Sequence, residues 1–262
     1  MVYHPQSTQN MLSKAKIKLI QSLEQKKKRR EERLFVAEGP KVVGDLLPFF
    51  TCRLIAATAA WLKEHPQTKA AEVVEVTHEE LRKASFLKTP QEVLAIFELP
   101  QPILPTNIPE KELCLALDDI QDPGNLGTII RIADWFGIKH LICSIGTADA
   151  FNPKTVQASM GAVARVNVHY TNLQEYLANL HSENAQVPIY GTFLEGNNIY
   201  KEPLSANGII VMGNEGNGIS SLTEQFVTHK LFIPNYPEGN PTSESLNVAI
   251  ATAITCSEFR RR

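Results

Sequence analysis

The stretch Ile209-Ile210-Val211-Met212-Gly213-Asn214-Glu215-Gly216-Asn217-Gly218-Ile219 decides how this chain folds. Its opening run of apolar, partly β-branched residues predicts a strand buried on both faces, as in a parallel sheet covered from both sides. Three glycines in the next six residues predict close backbone approach, either to a ligand or to another chain segment. Their order is G-x-x-G-x-G, which differs from the G-x-G-x-x-G dinucleotide fingerprint, and no G-x-x-x-x-G-K-[ST] occurs anywhere. A standard nicotinamide enzyme or a P-loop nucleotidase is thereby disfavoured.

Outward from this stretch the same alternation continues. Strands are expected at Leu113–Leu117, Leu141–Ser144, Ala164–His169, Ile189–Phe193, Ile209–Met212 and Lys230–Ile233. Helices should fill 125–136, 173–182, 220–227 and 245–259. Near-continuous apolar strands separated by helices imply a parallel α/β sheet. In such sheets ligands bind beyond the carboxyl ends of the strands, so the loops there carry the chemistry.

Two further post-strand loops stand out. After Leu117 comes Asp118-Asp119-Ile120-Gln121-Asp122-Pro123-Gly124-Asn125, a turn with Asn125 at the mouth of a helix that ends near Gly137. Arg131 interrupts the apolar run IIRIADWFG of that helix and calls for a carboxylate or phosphate partner. The other loop runs from Ile233 to Ser245, rich in proline and glycine, into a helix of small apolar residues. Ser245 is a candidate N-cap, and Asn247 is an odd polar choice at an apolar helix start. Leu246, Val248, Ala249, Ile250, Ala253 and Ile254 spread around most of that helix, which predicts burial within the domain and against a second subunit.

Upstream, LPQPILPTNIPEK (Leu99–Lys111) carries Pro100, Pro102, Pro105 and Pro109 and reads as an extended connector. It divides the chain into 1–99 and 112–262, with a linker at 100–111. The first part is expected to open with a polar helix around 8–31. Strands at Leu34–Ala37, Arg53–Ala57, Glu72–Val76 and Glu92–Phe97 then make it a small α/β domain. The 262 residues include 26 Lys plus Arg and 28 Asp plus Glu, for a net charge of −2. The first 33 residues alone carry nine basic and three acidic side chains, so an N-terminal stretch of +6 precedes a remainder of −8. Lys26, Lys27, Lys28, Arg29, Arg30 and Arg33 are thus candidate contacts to a polyanion held locally, with a solvated helix face as the alternative. The apolar runs fall well short of the roughly 20 residues a membrane span needs, and the N-terminus lacks a secretory layout. Four scattered cysteines with no CxxC pair predict neither a structural zinc nor a disulfide framework, and fit a reducing cytoplasm.

In this order and spacing, N-x-G-x-x-x-R-x-A-x-x-F-G (Asn125–Gly137), V-M-G-N-E-G-x-G (Val211–Gly218) and I-P…S-L-N-V-A-x-A (Ile233–Ala251) closely resemble the three motifs of the SpoU/TrmH family of RNA ribose methyltransferases, in the SPOUT superfamily. F-V-x-E-G-x-K-V-V (Phe35–Val43) is similar to the substrate-binding domain that many members carry, which looks like small RNA-binding ribosomal proteins. Asn235, Tyr236 and Pro237 stand where a Met-containing turn is common. The resemblance implies a parallel sheet with a deep C-terminal trefoil knot, a homodimer, and transfer of a methyl group from S-adenosylmethionine to a ribose 2′-hydroxyl, with rRNA favoured over tRNA. It also implies a cofactor site at Thr192, Met212, Gly213, Asn214, Gly216, Gly218, Ile233, Ser245 and Leu246. Arg131 would fix a phosphate or the hydroxyl, because a free guanidinium is a poor base. Asn125 and Asn247 would orient the ribose or Arg131, Glu215 would hold Arg131 or a loop amide, and Ser245 would position the third loop. An RNA-binding module without catalysis and a small-molecule transferase on a similar sheet are the competing classes. The first would lose Asn125 or Arg131, and the second would not need the +6 segment.

Overall fold

The computed structural model describes residues 11–104, 107–237 and 245–261. They form two compact units. The first holds the described residues up to Pro100 together with Phe151–Ala164; the second holds Gln101–Ala150 and the chain from Arg165 onward.

The second unit is built on strands β5 (Leu113–Asp118), β6 (His140–Ser144), β7 (Asn167–Thr171), β8 (Ile189–Asn198), β9 (Gly208–Gly213) and β10 (His229–Phe232). They lie in the order β10-β8-β9-β5-β6-β7, and all five pairings are parallel. The alternating side chains of the central strands β5 and β9 are buried on both faces, as their unbroken apolar runs required. One face, with Cys114, Ala116, Ile189, Ile209 and Val211, packs on Leu173, Tyr176, Leu177 and Leu180 of helix α8 (Leu173–Glu183). Helix α6 (Pro123–Trp135) packs against α10 (Val248–Arg261), and Phe259 of α10 meets Tyr190 of β8 edge-on at 4.8 Å.

From β5 the chain moves to β6 and β7 on one side, then crosses to β8, β9 and β10 on the other. The strand order therefore reverses between β5 and β9, whose last paired residues are Asp118 and Gly213. Helix α9 is a single turn (Ser221–Glu224), shorter than the expected 220–227. Strand β7 begins three residues later than expected, because Ala162–Ala164 form a 3₁₀ turn.

In the first unit, β1 (Leu34–Glu38), β2 (Cys52–Ala57), β3 (Glu72–Glu75) and β4 (Val93–Glu98) form a mixed sheet in the order β1-β4-β2-β3. The expected single helix over 8–31 is two helices, α1 (Lys14–Ser22) and α2 (Lys26–Glu32), and residues 8–10 lie outside the described ones. The break has a cause in Arg29. Its guanidinium turns inward and donates to the carbonyls of Leu23 and Glu24, both at 2.7 Å, capping the end of α1.

The remaining helices of this unit are α3 (Pro40–Leu46), α4 (Ala59–Glu64), α5 (His78–Ala84) and α7 (Pro153–Ser159). Helix α7 had no counterpart in the sequence reading, which placed residues 151–164 in the second domain. They pack here because Phe151 joins the Phe35, Phe50 and Phe97 cluster, 4.7 Å from the Phe35 ring. Among the described residues, no helix is long and apolar enough to cross a membrane.

Candidate active site

The loop after β9 is closed by its own backbone. Asn214 and Gly218 exchange two main-chain hydrogen bonds, both 2.9 Å, and the Asn214 side chain accepts from the amides of Gly216 and Asn217. A Cβ on Gly213 would sit 2.2 Å from the Gly218 carbonyl carbon and the Ile219 nitrogen, and Gly218 takes φ +69°. Two of the three glycines thus serve the approach of the chain to itself. The loop is tied to its neighbours as well. Asn214 Nδ2 donates to the Asp119 carbonyl at 2.7 Å, and the buried Asp118 carboxylate accepts from the Ser220 amide and hydroxyl at 2.9 and 2.7 Å.

Helix α6 begins at Pro123 rather than after the turn, because the Asp122 carboxylate accepts from the Asn125 amide at 2.8 Å and proline suits the first helical position. Asn125 therefore lies in the first helical turn, its side chain directed to the other motif loops. Asn125 Nδ2 donates to Glu215 Oε1 at 2.8 Å, and Asn247 Nδ2 donates to Asn125 Oδ1 at 3.0 Å. One chain of amides and a carboxylate thus joins all three motifs.

Asn247 has a second task that explains its place. Its Oδ1 accepts from the amides of Ala249 and Ile250 at 2.9 and 3.3 Å, so Asn247, not Ser245, caps α10. Ser245 is exposed and lines the cavity described below. Glu215 is engaged with Asn125, not with Arg131. Arg131 is solvent-exposed on α6, and its side chain has no hydrogen bond or ion pair among the described residues. Solvent reaches its guanidinium, so burial does not impose the carboxylate or phosphate partner expected of an arginine in an apolar helix.

A cavity of about 660 Å³ opens beyond β8, β9 and β10. Thr192, Met212, Gly213, Asn214, Gly216, Gly218, Ile233, Ser245 and Leu246 all line it. So do residues that sequence reasoning did not single out: Phe193 and Glu195 of β8, Glu224 of α9, and Lys230 and Phe232 of β10. Their signal was present only as the strand ends on either side of the glycine loop. Residues 238–244, which complete the third loop, lie outside the described ones.

Other reactive groups are placed against catalysis. All four cysteines are free and buried, and burial pushes Cys52 up to about 11 and Cys114 and Cys256 to about 12. Among the described residues no cluster of three His, Cys, Asp or Glu side chains could hold a metal ion. Of the basic N-terminal candidates, Arg29 is 1% exposed and committed to backbone carbonyls, so it cannot grip phosphate. Lys27, Arg30 and Arg33 are exposed, and the half-buried Lys28 pairs with Glu31 at 2.7 Å.

Residues 112–257 match the SpoU rRNA Methylase family, and residues 14–95 match the MRM3-like substrate binding domain. The Bacillus subtilis 23S rRNA (guanosine(2553)-2′-O)-methyltransferase RlmP is 32% identical over 248 residues, covering 94% of this chain and 96% of that protein. A TrmH-family structure from Porphyromonas gingivalis superposes with a TM-score of 0.85 at 45% identity, covering 96% of this chain and 99% of the other. An AdoMet-bound rRNA methyltransferase from Sinorhizobium meliloti superposes with a TM-score of 0.81 at 29% identity, covering 97% of each chain. A parallel sheet with three post-strand loops gathered at its switch point, preceded by an α/β substrate-binding unit, is thus an architecture shared with RNA-modifying methyltransferases. The chain belongs to the SpoU rRNA methylase family.

Proposed function

We propose that this protein methylates a ribose 2′-hydroxyl of ribosomal RNA, with S-adenosylmethionine as donor. The observation that carries this reading is the convergence of the three loops: Asn125, Glu215 and Asn247 are bonded together while Arg131 stays exposed and unpartnered among the described residues. The family membership and the rRNA 2′-O-methyltransferase relatives support it.

The cavity suits the donor. Its volume of about 660 Å³ falls in the usual range for small-molecule sites of roughly 300–1,000 Å³. Met212, Ile219, Phe232 and Leu246 offer an apolar wall for a flat base, and Glu195 and Glu224 offer carboxylates to cationic groups. When bound, S-adenosylmethionine supplies an electrophilic methyl on a sulfonium. Thr192, Asn214 and the backbone around Gly213–Gly218 would hold it there.

The chain's own residues must then orient the hydroxyl and assist loss of its proton. A guanidinium offers donors and no acceptor, so the part of Arg131 is to fix a phosphate or the hydroxyl rather than to remove a proton. The Asn247–Asn125–Glu215 chain holds the first turns of α6 and α10 to the second loop. Lys26, Lys27, Lys28, Arg30 and Arg33 are proposed to draw RNA phosphate to the first unit.

The same reading includes a cytoplasmic location, a deep trefoil knot and a homodimer. The knot is supported by the path of the chain, which leaves β10 at one edge of the sheet and returns to pack α10 on α6. The dimer is supported by Trp135 of α6 and Ile250 of α10, 84% and 53% exposed on two helices that pack together.

Incubating the protein with labelled donor and rRNA, then mapping 2′-O-methyl positions, tests the reading. Arg131→Ala and Arg131→Lys should both abolish transfer while donor affinity stays within a few-fold, since an ammonium lacks the planar fork. Absence of donor binding by the wild type would sink the proposal.

A further inference from the structure

We propose that Lys230 is the anchor for the carboxylate of the donor's methionine portion, taking it up in exchange for Glu224. This rests on the methyl-donor reading above. S-adenosylmethionine carries two cationic groups, the sulfonium and the ammonium, and one anionic group, the carboxylate. The cavity wall mirrors that asymmetry. Glu195, Glu215 and Glu224 line it, and among the described lining residues Lys230 is the only cation.

The surroundings of Lys230 fit an exchange of partners. Its ammonium pairs with Glu224 and lies 5.0 Å above the Phe193 ring. The ring attracts the cation whichever carboxylate it meets, and so keeps it at the cavity wall. Both side chains of the ion pair are partly exposed, 50% and 37%, and such pairs contribute little by themselves. Replacing Glu224 by the ligand's carboxylate therefore costs little, and it frees the Glu224 carboxylate to face the ligand's ammonium. The ion pair holds the place of the zwitterion before it arrives.

Calorimetric titration of the full chain with S-adenosylmethionine and with its decarboxylated analogue tests this, because the analogue keeps both cations and lacks the anion. The wild type should bind the intact donor about two- to fivefold more tightly, as one partly exposed ion pair gives. Lys230→Ala should bind both ligands alike, at the affinity of the analogue, with an unchanged thermal midpoint. Lys230→Arg should restore the preference. Equal loss of affinity for both ligands in Lys230→Ala, or an undiminished preference, would overturn the assignment. A wild type that binds neither ligand would overturn the donor reading itself, and this one with it.

Discussion

Asn125 Nδ2 lies 2.8 Å from Glu215 Oε1, a bond between the first turn of α6 and the glycine loop after β9, 90 residues apart in sequence. Asn125 also accepts from Asn247 at 3.0 Å, so its amide uses both its donor and its acceptor on the other two loops. Asn125→Ala should therefore release Glu215 and Asn247 from α6, leaving the Asp119–Asn214 and Asp118–Ser220 bonds in place, while costing only about 1 kcal/mol of stability, since the bonds lost are exposed. We expect kcat for methyl transfer to fall at least tenfold with the thermal midpoint nearly unchanged. Steady-state kinetics beside a melting curve would separate the two, and a normal kcat would show the bonds to be incidental.

Gly213 is required by space. A methyl group there would lie 2.2 Å from backbone atoms of Gly218 and Ile219, which cannot swing aside as a side chain can. Gly213→Ala should cost about 1–3 kcal/mol or more and weaken donor binding by opening the loop. Gly216, where an added Cβ meets only the Asn214 side chain at 3.6 Å, should accept alanine with no loss of stability. Denaturant titration of the two variants compares them directly.

The basic N-terminal segment divides into structural and surface charge. Arg29→Leu strands the buried carbonyl of Leu23 and releases the partly exposed one of Glu24, and should lower the stability of the first unit by about 1–3 kcal/mol. Lys27→Glu with Arg30→Glu should leave stability alone and reduce the log–log salt slope of RNA binding by about 0.7–0.9 for each phosphate contact removed. An unaltered slope would make this surface a solvated helix face.

Acid should weaken the sheet through two histidines. His140 Nδ1 and His169 Nε2 are 3.2 Å apart on neighbouring strands, and His169 Nδ1 is buried with no hydrogen-bond partner among the described residues. Burial, and then the charge of His140, lowers His169 to about 4, and burial lowers His140 as well. Native values below the unfolded value of 6.5 mean that the unfolded chain binds more protons between them. This stability is whole above about pH 6.5 and is lost as pH falls toward 4. His169→Leu should flatten the decline in urea midpoint across that window; an identical pH profile would remove the pair from the account.

The sequence by itself determined the alternation of strands and helices, the parallel sheet, and the three loops that matter. Each of these is written locally, in apolar runs about five residues long, in the glycines after β9, or in the Asp122-Pro123 helix start. Local pattern also marked Asn125, Arg131 and the glycine loop, because post-strand loops of a parallel sheet carry its chemistry. Thr192, Ile233 and Leu246 came from the family resemblance, and Phe193, Glu195, Glu224, Lys230 and Phe232 from the fold alone.

What only the tertiary structure decided are the pairings between distant segments. Composition presents Arg29 as one more cation in KKKRR, and only the turn of α2 against the end of α1 buries it. Residues 151–164 read as part of the second domain until Phe151 meets Phe35. Ser245 and Asn247 are both good caps by type, and the choice between them rests on where α10 packs against α6. Glu215 had two sequence-level partners, Arg131 or a loop amide, and took Asn125 instead. Hydrophobic periodicity is a property of one segment, whereas the partner of a polar side chain is set by which other segment the fold brings within 3 Å of it.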